Sequence, residues 1–428
     1  MSPRIVIKGG RVMDPASGHD RIENLYLADG LIAGRGAAPE GYRADLEINA
    51  EGLVVAPGFI DLAAHLREPG QEHKATIASE SRAAVRAGIT TLCCPPDTRP
   101  VIDSSAVVNL VLERASQAGN ARVLPIGALT RGLNGKDLSD MSALKDAGCL
   151  AVSNAYAAIA NPLVLRRALE YAASYGLLVI IRPEDPHLAD QGCVHEGAVG
   201  MRMGLPGIPH AAETVAVAQV LALVDDTGAR VHFTQLSSNR AVRMVAHALK
   251  KGIPVSADVA AHHLHLTDAC IESFDPLFHL SPPLRTLEDR TALREAVRDG
   301  VIAAICSSHQ PHEPDAKLDA FPATEPGIAA LETLLPLTLA LVRDGILPLN
   351  TALAALTSQP ARILKLNTGH LGLNAPADVC LFDPEAEWTP GPSTWLSRGH
   401  NTPYWNQPLK GQVIHTLVAG EPVYNRER

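Results

Sequence analysis

Residues 53–77 read LVVAPGFIDLAAHLREPGQEHKATI. The run 53–61 has the length and apolar content of a buried strand, and the loop that follows carries His65 and the neighbours Arg67 and Glu68. Chemistry-bearing residues just past a strand are the mark of parallel α/β folds, whose sites lie at the carboxyl ends of their strands. Two alanines, Ala63 and Ala64, stand immediately before His65. The strand end therefore has the setting of a metal site and only one imidazole, His65, to build it with.

Outward from this stretch the same alternation recurs. Candidate strands are 53–61, ITTLCC (89–94), RVLPIG (122–127), CLAVS (149–153), LLVIIR (177–182), RVHFTQ (230–235), IPVSAD (253–258) and VIAAICS (301–307). Helix patterns lie between them. Asp103 is placed to cap SSAVVNLVLERASQAG, Asn161-Pro162 to open LVLRRALEYAASYG, and Gly88, Gly119, Gly176 and Gly252 stand where helices should stop. Eight strands alternating with helices over roughly 300 residues predict an α/β fold, a (β/α)8 TIM-like barrel spanning 53–374. An open doubly wound sheet is the competing reading, but no glycine-rich phosphate loop follows the first strand.

The two chain ends have a different character. Residues 4–9 and 22–28 alternate apolar and polar, and Asp29-Gly30 after the second run is a hairpin signal. ADVCLFD (377–383) and GQVIHTLVAGEPVY (411–424) repeat the pattern around a proline-rich stretch holding Trp388, Trp395 and Trp405. Residues 1–52 and 375–428 are expected to form one small β-sandwich-like domain together, with the tryptophans packed between it and the barrel.

Composition narrows the function. A chain of 428 residues with 46% hydrophobic content is long enough for a large core. A net charge of −9 argues against nucleic acid or an anionic membrane as partner, leaving small molecules or other proteins. The opening MSPRIVIKGG has no signal-type apolar core and no run of about 18 apolar residues follows, so a cytoplasmic location is expected. Seven cysteines without a C-x-x-C spacing speak against a disulfide frame or a cysteine zinc site.

At the strand ends stand Ala63, His65 and Arg67 (first strand), Asp97 (second), Ser153 and Asn154 (fourth), Arg182 (fifth) and Gln235 (sixth). His262, His263 and His265 follow the seventh, and Ser307, Ser308 and His309 the eighth. A hydrolytic metal site needs about three or more His or carboxylate ligands. Asn, Gln and Ser are weak ligands, and Arg182 is a permanent cation with no lone pair to give.

PGFIDLAAHLREPGQEHKATI, AGITTLCCPPDTRP, LRRALEYAASYGLLVIIRPED, AHHLHLTD, LSPPLR, SSHQPH and LKGQVIHTLVAG together resemble the dihydroorotases of the amidohydrolase superfamily, over nearly the whole chain. The resemblance implies a H-x-H pair after the first strand, an acid or carboxylated lysine after the fourth, histidines ending the fifth and sixth, and an aspartate ending the eighth. On this sequence those positions are Ala63 with His65, then Asn154 in SNAY, then Arg182, Gln235 and Ser308. Only His65 is kept. On the substrate side the resemblance makes Arg67 the carboxylate-binding arginine, with Asp97 and Ser281 where the family has asparagines and His309 as a remaining family position. A carboxylate at Asp97 facing a substrate carboxylate at about 4 Å would cost on the order of 4 kcal/mol, unless Asp97 instead pairs with Arg67 and closes the pocket.

The resemblance thus implies a chain without metal, cofactor or catalytic aspartate, hence not an enzyme. Some bacteria carry such a dihydroorotase-like chain assembled with aspartate carbamoyltransferase. The expected role is that of its structural or regulatory non-catalytic subunit in pyrimidine biosynthesis, as a homodimer within a larger hetero-oligomer. Two alternatives stand beside it: an active amidohydrolase with a rebuilt or single-metal site, and a metabolite-binding module resting on Arg67. The bland readings are a leftover polar His65, structural hydrogen bonds for His262, His263, His265, His309 and His312, and an Arg67 to Glu68 ion pair at the mouth.

Overall fold

The computed structural model describes residues 2–426. Eight short parallel strands form the barrel wall: Phe59–Asp61, Ile89–Cys94, a third strand made of Arg122–Pro125 and Gly127–Ala128, Ala151–Ser153, Leu178–Ile181, Val231–Phe233, Val255–Ala260 and Ala304–Cys306. The wall closes where His65 N donates to His309 O at 2.9 Å and His309 N to Ala63 O at 3.2 Å, just past the eighth and first strands. Inside it pack Ile60, Leu62, Cys93, Ile126, Leu178 and Ile180. This is the (β/α)8 architecture that the strand spacing predicts.

Helices lie between the strands and start where polar side chains can take their free N–H groups. Thr76 and Ser79 make a capping box for Ile77–Arg86, Asn161 caps Pro162–Ser174, Ser238 caps Asn239–Lys250, and Thr286 with Asp289 caps Leu287–Arg298. Asp103 does not cap its helix: Ser104 holds the N-cap position, and the Asp103 carboxylate accepts from Gly132 N at 2.8 Å.

The expected strand 53–61 is two strands. Val54–Pro57 pairs in parallel with Ile5–Asp14 and antiparallel with Val379–Trp388, so it belongs to the sheet built from the chain ends, and only Phe59–Asp61 enters the barrel. Pro57 and Gly58 make the break. Gly58 N turns to Asp378 O at 2.8 Å, and a Cβ at Gly58 would meet Thr90 Cγ2 at 2.2 Å, so the chain passes there only because the residue has no side chain.

The ends hydrogen-bond as one eight-stranded sheet, ordered Glu421–Asn425, Leu409–Val418, Val379–Trp388, Val54–Pro57, Ile5–Asp14, His19–Ala28 and Leu31–Arg35, with Leu46–Asn49 also on Ile5–Asp14. Ile5, Ile7, Leu25, Leu27, Val379, Leu381 and Leu417 from both ends share one core. Asp29 and Gly30, at φ 52 and 76, make the tight turn between His19–Ala28 and Leu31–Arg35, as a primed hairpin turn requires. Trp388 and Trp395 pack with Ala329, which follows the eighth barrel strand, and Arg86 from a barrel helix lies 5.3 Å over the Trp388 ring.

Candidate functional site

The carboxyl ends of the strands bring most of the predicted positions together, in arrangements the sequence did not disclose. Ala63 is buried and offers no ligand atom. His65 Nδ1 lies 3.1 Å from Asp97 Oδ1. Burial pushes the Asp97 carboxyl up, but His65 and Arg67 outweigh it and hold it below its ordinary value. Asp97 is thus the partner of His65, not the direct partner of Arg67.

Arg67 also differs from its expectation. Its Nε donates to Pro311 O at 3.1 Å, and its terminal nitrogens reach Gln71 Oε1 at 3.4 Å and His312 Nε2 at 3.3 Å. No ion pair joins it to Glu68, whose carboxylate turns away to accept from Ile77 N at 2.8 Å and lies 3.6 Å from Arg114 Nε. The guanidinium that would greet a substrate carboxylate is occupied by its own chain.

Asn154 is tied into its loop, its Oδ1 accepting from Thr130 Oγ1 at 2.8 Å and its Nδ2 donating to Ala157 O at 2.6 Å. Arg182 holds Glu184 through bonds of 3.1 and 2.7 Å and donates to Ser281 Oγ at 2.5 Å. His309 does not face the mouth: its ring is fully buried, with Nε2 2.9 Å from Glu80 Oε2 and Nδ1 accepting from Ala330 N at 3.0 Å. His263 and His265 hydrogen-bond the carbonyls of Pro282 and Leu337, and burial pushes both down to about 4, so they serve as neutral structural groups.

The residue that organises the mouth is Tyr156, which was not among the predicted site residues. Its ring lies 5.4 Å from the His65 ring and 4.6 Å from the Arg182 guanidinium carbon. Gln310 donates to its hydroxyl, which in turn donates to Gln235 Oε1 at 3.3 Å. Burial pushes the phenol up to about 12, so it stays protonated and able to donate. The signal lay in SNAY, where a bulky aromatic, Tyr156, stands just past the fourth strand. The backbone there is also unusual: Arg67, Ala155, Gln235 and Ser308 have φ of 64, 47, 59 and 51. Left-handed backbone at non-glycine residues is uncommon, and its clustering at strand ends marks the place where this barrel is built to hold side chains in fixed directions.

These residues do not fit a hydrolytic metal. Of the ligand positions that the resemblance implies, only His65 carries a strong donor, its Nδ1 faces Asp97, and Arg182 is a permanent cation with no lone pair to give. Among the described residues, His195, His210 and Asp289 form a group with converging ligand atoms. It is a poor cation site. Arg285 donates to His195 Nδ1 at 3.1 Å, and Asp289 is committed to His210, Asn239 N and Thr286.

A closed eight-stranded barrel with its polar cluster at the strand ends, joined to a sheet made from both chain ends, defines an amidohydrolase-type protein. The chain aligns with the L-hydantoinase of Arthrobacter aurescens at a TM-score of 0.88, with 21% identity, covering 100% of this chain and 97% of that one, which speaks for the fold. The Dihydro-orotase-like family matches residues 52–241. A dihydroorotase-like protein of Pseudomonas putida is 51% identical over 423 residues, 99% of this chain and 100% of that protein, and a dihydroorotase of Anaeromyxobacter dehalogenans is 44% identical over 430 residues, 100% of this chain and 99% of that protein. The chain belongs to the dihydroorotase-like family.

Proposed function

We propose that this protein is a catalytically silent member of its family and acts as a structural or regulatory non-catalytic subunit of aspartate carbamoyltransferase. The observation that carries the first half is Tyr156. Its ring lies beside His65 and Arg182 and its hydroxyl bridges Gln310 and Gln235, so the ligand positions have been rebuilt around a side chain. Metal-assisted hydrolysis needs a polarising ion and a group to take the proton from water. With Ala63, Asn154, Arg182, Gln235 and Ser308 in the family positions, neither half of that chemistry has its residues.

The second half rests on economy. A fold that keeps its barrel, caps and closing sheet without its chemistry is retained for its surface, and a neighbouring enzyme of the same pathway is the partner to which a pathway homologue is adapted. Co-expression with aspartate carbamoyltransferase, followed by size-exclusion chromatography with light scattering, tests this. Co-elution as one closed hetero-oligomer is expected. Separate elution at micromolar concentration, with carbamoyltransferase assembly and activity unchanged, overturns the partner.

A second reading, an active amidohydrolase with a rebuilt site, draws support from relatives of 44% identity that are called dihydroorotases. Stoichiometric zinc together with dihydroorotate turnover in the purified chain would establish it in place of the first.

A further inference from the structure

We propose that the chamber at the former metal position binds a small anion of the carboxylate class, of the size of formate. The chamber has a volume of about 30 Å3 and lies among Ala63, His65, Ser153, Tyr156, Arg182 and Gln235. The assignment follows from the hydrogen-bonding capacity of each polar group.

Gln310 donates to the Tyr156 hydroxyl, and that hydroxyl donates to Gln235 Oε1. The direction of this chain uses the acceptor side of Gln235 and leaves its amide NH2 without an acceptor among the described residues. Ser153 Oγ accepts from Ala155 N at 3.0 Å, so its proton is free to be given. Arg182 has its terminal nitrogens on Glu184 and Ser281, while its Nε–H, on a side chain only 5% exposed, has no partner among the described residues. Thr234, also on the wall, has already given its hydroxyl to Asp258.

What is left around the chamber is mainly donors, those of Gln235, Ser153 and Arg182, beside the second ring nitrogen of His65, whose Nδ1 lies on Asp97. Buried donors without acceptors are costly, and the group that meets several donors at once while bringing none of its own is an anion with paired oxygens. A neutral amide brings N–H groups that face other N–H groups, and a metal cation meets Arg182. This is not the place of the family's substrate carboxylate, since Arg67 is engaged with Pro311, Gln71 and His312. Because Arg182 is already neutralised by Glu184, binding rests on local hydrogen bonds and is expected to be weak and saturable.

Titration of the full-length protein with sodium formate tests the proposal, read by thermal melting and by saturation-transfer NMR of the formate proton. Formamide and ionic-strength-matched sodium gluconate, a carboxylate too large for the chamber, serve as controls. The expected result is a saturable rise in melting temperature and saturation transfer with formate and none beyond background with the controls. Gln235→Glu, which keeps the acceptor for Tyr156 and turns the free NH2 into an oxygen, should weaken formate at least about tenfold. Ser153→Ala, the gentler change, should weaken it several-fold. An equal shift with gluconate, no transfer from formate in the unmodified protein, or unchanged affinity in both variants overturns the site.

Discussion

The guanidinium carbon of Arg182 lies 4.6 Å from the centroid of the Tyr156 ring while its nitrogens grip Glu184 at 3.1 and 2.7 Å. A planar guanidinium held in place by a carboxylate and stacked on an aromatic face makes a rigid wall. Arg182, for which the resemblance implies a metal-binding histidine, supports an aromatic ring here. The departures from the family pattern fit one another: Tyr156 fills, Arg182 stacks, and Gln235 receives its hydroxyl.

Tyr156 should therefore be felt as a packing residue. Tyr156→Phe removes the hydroxyl that links Gln310 to Gln235 and should cost about 1–2 kcal/mol. Tyr156→Ala removes the ring as well and should cost about 2–4 kcal/mol. Urea unfolding of both variants checks this, and stability unchanged in the alanine variant would show that the ring does not hold the mouth together.

The donor set predicts the metal content. Elemental analysis after mild dialysis should find well below one zinc per chain, and dihydroorotate formation and hydrolysis should both be undetectable. Ala63→His alone should restore neither, since groups that act together return almost no rate when one is put back. Turnover in that single variant would mean that the surviving residues suffice.

Glu332 predicts a pH dependence. Burial pushes its carboxyl up to about 7, against the pull of Arg86 and the backbone N–H groups of Ser397 and Leu396. Arg86 Nη1 is 3.0 Å from Glu332 Oε2 without making a hydrogen bond, which leaves burial dominant. The folded state keeps this proton where the unfolded state has released it, so the contribution is fully present below the ordinary value of 4.5 and is lost as pH rises through about 7. Glu332→Gln keeps an acceptor for Leu396 and Ser397 and removes the titration. Urea stability measured between about pH 5 and pH 8 should fall less steeply in that variant than in the parent.

Glu80 predicts a large loss. It is fully buried and accepts from His309 Nε2 at 2.9 Å, Ser397 Oγ at 2.6 Å and Arg398 N at 3.1 Å, tying the last barrel strand to the C-terminal segment. Glu80→Ala strands these donors in the interior and should cost about 3–5 kcal/mol by chemical denaturation. A cost near zero would show that the segment around Ser397 is held by other contacts.

The barrel was legible in the sequence because its signals are local. Strand runs, Thr, Ser and Asn caps and glycine stops act within a few residues, and Asp29-Gly30 forces its hairpin whatever surrounds it. That Ala63 offers no ligand atom was legible too, since an alanine side chain cannot bind a metal in any fold. Placement of the remaining groups was decided only by tertiary structure. His65 took Asp97 and left Arg67 to Pro311 and His312, residues separated from it by more than half the chain. Val54–Pro57 left the barrel because Val379–Trp388 offered it a ladder from the far end of the sequence. His309 turned into the interior because Glu80 was there to meet it. Hydrogen-bond partners in a buried site are chosen by proximity in space, and a one-dimensional reading carries residue types and spacing but not which distant group arrives at each donor.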